Sequence, residues 1–151
     1  MTLSDKKKPS PVIVWFRQDL RLRDNPALID AHKSGRPILP LYILDDGNSG
    51  EWKMGAASRW WLHKSLKSLH RDLRDRLCLA RGDSRTVLME QIKTSGAGAV
   101  YWNRCYEPWR TACDAAIEKD LGSMGIEVKG FNASLLFEPP ETVKKDGTPY
   151  K

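Results

Sequence analysis

Two short stretches hold the side chains with the most chemical potential. The first, Val100–Arg110 (VYWNRCYEPWR), sets Tyr101, Trp102, Tyr106 and Trp109 around Asn103, Arg104 and Glu107. Flat aromatic walls with a few polar groups suit a planar heterocycle: rings stack on it, and Glu107 or Asn103 can meet its ring N–H groups. Core packing alone explains Trp102 within a strand. It explains Trp109 less well, because Pro108-Trp109 falls in the first turn of a helix. The second stretch, Arg17–Asp24 (RQDLRLRD), mixes guanidinium groups and carboxylates and contains no glycine. It supports two readings. One is a salt-bridged turn that locks strand to helix, with Leu20 and Leu22 tucked inward. The other is an anion, or a partner domain, held by Arg17 and Arg21. The charge pattern favours the turn.

The elements that must position these stretches alternate in type. Val12–Phe16 reads as a buried strand. Pro26–Ser34 reads as a short helix with Asn25 as N-cap and Pro26 at its first position, stopped by Gly35. Ile38–Leu44 is a second buried strand, closed by the turn Asp45-Asp46-Gly47-Asn48. Gly55–Arg76 is the longest helix, with Leu62, Leu66, Leu69 and Leu73 forming one apolar stripe. Leu77–Ala80, Ala99–Trp102 and Ile126–Phe131 are further strands. Helices from Ser84 to about Thr94 and over Glu107–Met124 separate them. The pattern predicts an α/β fold: a doubly wound, five-stranded parallel sheet, Rossmann-like with the flavodoxin-type order 3-2-1-4-5, and helices on both faces. Residues 12–131 form the expected domain and residues 1–11 a disordered, solvated tail. Residues 132–151, with Pro139, Pro140 and Pro149, read as an extended connector.

Such sheets bind ligands at the carboxyl ends of their strands. That rule, with the two stretches, nominates Phe16, Arg17, Asp45, Asn103, Arg104, Tyr106, Glu107 and Trp109 as ligand-binding residues. No GxGxxG or GxxxxGK[ST] motif follows the first strand, which disfavours NAD, FAD or ATP bound in the usual phosphate-cradling manner. Cys78, Cys105 and Cys113 form no CxxC pair, and His32, His63 and His70 are scattered, so no metal site is expected and the thiols suit the reducing cytoplasm. No apolar run reaches membrane-spanning length, and none follows the lysines of the N-terminus as a secretory signal would require. A net charge of +6 permits a polyanionic partner without demanding one. Lys64, Lys67, Arg71, Arg74 and Arg76 lie among Asp72 and Asp75, the pattern of an ordinary solvated helix face. Trp60 and Trp61 are adjacent on a helix and point about 100° apart, so at least one must face a ligand, a partner or solvent. Packing at a domain interface is the favoured use.

VIVWFRQDLRLRDNPAL, GAASRWWLHKSL, VYWNRCYEPWR and FNASLLFEPPETVKKDGTPYK, in that order, resemble the N-terminal domain of the DNA photolyase/cryptochrome family, above all its bacterial cyclobutane pyrimidine dimer photolyases. The resemblance runs from about Val12 to the end. It implies an α/β domain that often holds an antenna chromophore, a methenyltetrahydrofolate or a deazaflavin. A helical C-terminal domain, missing here, would bind FAD and UV-damaged DNA, with residues 132–151 starting the linker. The chain alone is then inactive in repair, with no catalytic residue of its own, and its role is to harvest light for the FAD. One departure stands out. Folate-binding members with an Asn-Glu pair two residues beyond the match to Tyr106-Glu107 contact the folate there; this sequence has Trp109 and Arg110. Folate, stacked differently, is favoured over deazaflavin. A fragment of a cryptochrome blue-light receptor and a standalone flavodoxin-like binding module are the alternatives.

Overall fold

The computed structural model describes residues 9–48, 50, 53–138 and 144. The chain runs β1 (Val12–Phe16), α1 (Pro26–Lys33), β2 (Ile38–Leu44), α2 (Ala56–Asp72), β3 (Cys78–Arg81), α3 (Ser84–Ser95), β4 (Ala99–Asn103), α4 (Pro108–Ser123) and β5 (Glu127–Phe131). The sheet is fully parallel in the order β3-β2-β1-β4-β5, as the alternation of elements predicts. β1 sits at the centre, with Val12 paired to Ile38 of β2 and to Ala99 of β4. All five of its residues are buried, which is why it reads as an unbroken apolar run rather than an alternating one.

The pleat divides the apolar residues between two cores. Ile13, Trp15, Leu41, Val100 and Trp102 pack against Leu88 and Ile92 of α3 and Ile117 and Leu121 of α4. Val12, Val14, Phe16 and Tyr101 pack on the opposite face against Ala27 and Ala31 of α1 and Leu69 of α2. The leucine stripe serves this second core, with Leu62, Leu66 and Leu73 partly buried beside Leu69.

Local signals set most element ends. Asn25 caps α1, its side chain accepting from Leu28 N at 3.1 Å. Asp83 caps α3 through Thr86 N at 2.9 Å, and Gly96, at φ +67°, ends that helix in the left-handed region that favours glycine. α2 is shorter than its composition suggests. It stops at Asp72 because Arg74 and Asp75 take positive φ values of 53° and 59°, a conformation that composition does not reveal. Likewise β3 starts at Cys78, one residue late, and continues through Arg81.

Ser10 and Pro11, ahead of the expected domain start, are already tied to the fold. Arg36 donates to Ser10 O at 2.6 Å, and Gly98 N donates to Pro11 O at 3.0 Å. The rest of the expected tail, residues 1–8, and most of the expected connector, 139–143 and 145–151, lie outside the described residues.

Candidate functional site at the carboxyl end of the sheet

The turn after β1 is a knot of charged and polar groups. The Arg17 guanidinium is buried and donates to both carboxylate oxygens of Asp114 on α4, at 2.7 and 2.9 Å, and to the Asn103 carbonyl. It lies 4.8 Å from the Trp15 ring centroid and 5.9 Å from that of Trp102, two indoles that meet edge to face at 5.7 Å. The Asn103 amide donates to Asp19 and to Asn25 Oδ1, while its Oδ1 accepts from Ala27 N at 3.1 Å. Asp19 also accepts from Arg17 N and the Asn25 amide. Arg21 donates to the Asp24 carbonyl at 3.1 Å and to the Ala133 carbonyl at 3.0 Å, which ties the start of the connector to the turn. Of the two sequence readings, the geometry is that of the locked turn. Burial pushes the Asp114 carboxyl up, and the Arg17 charge offsets only part of that.

Beside this knot opens a cleft of about 1170 Å³. Leu20, Tyr42, Met54, Trp61 and Trp109 give it apolar walls, drawn from the β1 turn, β2, the α2 approach, α2 and α4. Ser58, Ser65 and Asn48 add small polar groups, and Arg21 and Arg110 add cations. On one wall the Gln18 amide donates to Glu107 Oε1 at 2.6 Å. Together these two groups offer a donor and acceptors to the edge of a ring. The Arg110 guanidinium lies 4.4 Å from the Trp109 ring centroid. Burial, ahead of a nearby Arg110 that acts the other way, raises the Tyr42 hydroxyl above its ordinary pKa, so it stays a neutral donor at neutral pH. Among the described residues no His, Cys, Asp or Glu group is arranged to hold a metal ion, and no helix is long and apolar enough to cross a membrane.

The structure distributes the eight nominated residues over four places. Arg17, Glu107 and Trp109 line the cleft, with the Arg17 charge turned into the knot. Asp45 lies in a small hollow of about 50 Å³ that also touches Trp15, Trp109 and Cys113. Phe16 and Asn103 are buried in the sheet and the knot. Arg104 and Tyr106 both donate to Glu138, at 2.8 and 2.7 Å. Burial, joined by the bond to Glu138, pushes the Tyr106 hydroxyl up to about 12. Trp61, two-thirds exposed on the cleft wall, was not among the eight. Its only signal was the Trp60-Trp61 adjacency, which turns one ring away from the other.

Asp45 does its work in holding loops. It accepts from Ser84 N, Ser84 Oγ and the Asn48 amide, at 2.9, 2.8 and 2.7 Å. Burial pushes its carboxyl up, but the bonds from Asn48 and Ser84 outweigh that and the net shift is down. Asp83 is also held low, first by Asn48 and then by Thr86. A carboxylate depressed in the fold adds stability above its unfolded value near 4 that is lost as pH falls through the folded value. Urea midpoints are therefore expected to hold from pH 7 to 5 and to fall below about pH 4. Asn48→Ala, which removes a donor to both carboxylates, is expected to make that fall shallower.

Comparison with known proteins agrees with this architecture. The family model described as DNA photolyase matches residues 12–151. A deoxyribodipyrimidine photo-lyase of Agrobacterium fabrum is 43% identical over 147 residues, covering 95% of this chain and 30% of that protein. Cryptochrome-1 of Arabidopsis thaliana is 39% identical, covering 91% of this chain and 21% of its own length. Among solved structures, a bacterial class III photolyase from Agrobacterium tumefaciens superposes with a TM-score of 0.87 at 40% identity, over 99% of this chain and 31% of that one. The chain thus spans about a third of the length of the photolyases it matches.

Proposed function

Since this chain belongs to the DNA photolyase family, matching its N-terminal α/β domain, we propose that its cleft holds an antenna pigment serving a photolyase. The pigment would supply absorption of light and transfer of that excitation to FAD in a separate helical domain, where UV-induced pyrimidine dimers in DNA are repaired. The observation that carries this reading is the cleft itself: two indoles, Trp61 and Trp109, on the walls of a large apolar opening with a paired Gln18–Glu107 edge.

The residues present fit such a group. Trp61 and Trp109 would stack on a planar ring system and keep water from its faces. Glu107, its carboxylate held by Gln18, would accept from a ring N–H. Arg110 at the rim suits a carboxylate-bearing tail, which favours methenyltetrahydrofolate over deazaflavin. Trp109 and Arg110 stand where folate-binding relatives with an Asn-Glu pair make their contact, so the folate would be held mainly by stacking. The glycine-free turn after β1, closed by Arg17 and Asp19, leaves no cradle for a dinucleotide phosphate. Three free thiols among the described residues suit a cytoplasmic protein.

The knot and the cleft separate under mutation. Arg21→Ala removes bonds to the Asp24 and Ala133 carbonyls and is expected to cost about 1 kcal/mol of stability. Pigment retention should stay within a few-fold of the parent; loss of pigment at unchanged stability would contradict this assignment.

Cryptochrome relatives support a second reading, in which the same domain serves a blue-light receptor that signals without repair. The experiment is an action spectrum of the full-length protein on DNA carrying pyrimidine dimers. The antenna reading expects repair to follow the pigment's absorbance band, and to fall back to the flavin's own band when the pigment is removed. An action spectrum indifferent to the pigment would defeat it, and pigment-sensitised flavin photochemistry without repair would favour the receptor.

A further inference from the structure

We propose that the outer face of α2 is a docking surface for a single nucleic-acid strand, separate from the cleft. In it Trp60 stacks on a base while Lys64, Lys67 and Arg71 meet successive phosphates. Residues 60, 64, 67 and 71 follow at four-three-four spacing, so at 100° per residue they fall on one narrow line along the helix. Leu62, Leu66, Leu69 and Leu73 take the opposite line and pack against the sheet. Trp61 and Ser65 lie between the two lines and face the cleft. The structure thus gives α2 three distinct sides, and among the described residues only the basic one has no packing partner.

Trp60 is 60% exposed, unusual for so large an apolar ring. The Lys64 ammonium lies 5.4 Å from its ring centroid, so ring and cation are presented together. Lys64 and Lys67 make no ion pair among the described residues. Arg71 donates to Ser68 Oγ at 3.2 Å, and its one ion pair among the described residues is with its exposed neighbour Asp72, at 3.5 Å, a contact of little strength. No carboxylate interrupts the line itself, although Asp72 and Asp75 flank its far end.

Spacing selects the partner. Lys64 to Arg71 is about 10 Å along the helix at about 1.5 Å per residue. A strand carries one phosphate per about 3.4 Å of its axis, so three cations meet about three phosphates. An exposed indole beside evenly spaced cations is the combination that binds single strands, stacking on a base while the backbone is neutralised. A membrane surface would need an apolar face on α2, and that face is already buried. An acidic peptide would match the charges but leave the indole without a ring to stack on.

The test uses the 151-residue chain and a fluorescent, undamaged oligothymidylate, titrated in the dark by anisotropy. Three phosphate contacts on a single strand predict a log–log salt slope of about −2, or about a 20-fold loss of affinity between about 50 and 200 mM salt. Trp60→Ala is expected to weaken binding about tenfold with the slope unchanged. Lys64→Gln with Lys67→Gln should flatten the slope by about 1.4. All three positions are exposed, and circular dichroism confirms that the variants fold. The proposal is overturned if no binding is seen at 50 mM salt. It is also overturned if Trp60→Ala binds like the parent, or if polyglutamate competes as well as the oligonucleotide, since either result leaves only a charged surface.

Discussion

Replacing Asp114 by alanine is expected to cost the domain about 3–5 kcal/mol. Asp114 is buried, and its carboxylate takes two hydrogen bonds from Arg17, whose side chain is 3% exposed. Removing it leaves a guanidinium charge between two indoles with no counter-charge. A domain of this kind has about 5–15 kcal/mol in total, so the loss is about a fifth of its stability or more. Urea unfolding followed by tryptophan fluorescence measures it. The pair is not itself an efficient source of stability, because burial raises the Asp114 carboxyl further than Arg17 lowers it. Arg17→Met combined with Asp114→Leu is therefore expected to recover most of the loss. If Asp114→Ala cost less than about 1 kcal/mol, the knot would be a surface contact in solution.

The second large effect concerns ligand rather than fold. Trp61→Ala and Trp109→Ala together are expected to weaken methenyltetrahydrofolate binding about 100-fold, each indole contributing about tenfold through stacking. The fold should survive, since Trp61 is 69% exposed and Trp109 is only partly buried. Trp109→Phe keeps a flat ring and is expected to retain most of the affinity. Titration by pigment absorbance, with urea unfolding run in parallel, separates lost binding from lost structure. An undiminished affinity in the double variant would remove the cleft walls from the site.

Much of this architecture was legible because it rests on local pattern. The apolar runs VIVWF and ILPLYIL, spaced by helical stretches, fix a parallel sheet, and Asn25-Pro26 marks the start of α1. The leucine stripe identifies the inner side of α2 before any coordinate is known. What was not legible depends on distant partners. Arg17 finds Asp114 ninety-seven positions along the chain, and no spacing rule links them. Asn103 looked like a group for a ring edge. In the fold its amide is taken by Asp19, Asn25 and Ala27, each about eighty residues earlier. The end of α2 was misplaced by four residues because Arg74 and Asp75 adopt a conformation usually signalled by glycine or asparagine. Trp61 was visible as half of a pair, but only the placement of α2 against the β1 turn shows which indole faces the cleft.

The central claim is that the cleft between α2 and the start of α4 takes a planar antenna pigment. The most direct measurement is equilibrium dialysis of the 151-residue chain against methenyltetrahydrofolate, with the retained pigment read from its absorbance and Trp61 and Trp109 reporting through quenched fluorescence. The account predicts about one pigment per chain, quenching that saturates with it, and loss of both signals in the Trp61→Ala, Trp109→Ala variant. A folded chain that retains neither this pigment nor a deazaflavin would contradict it.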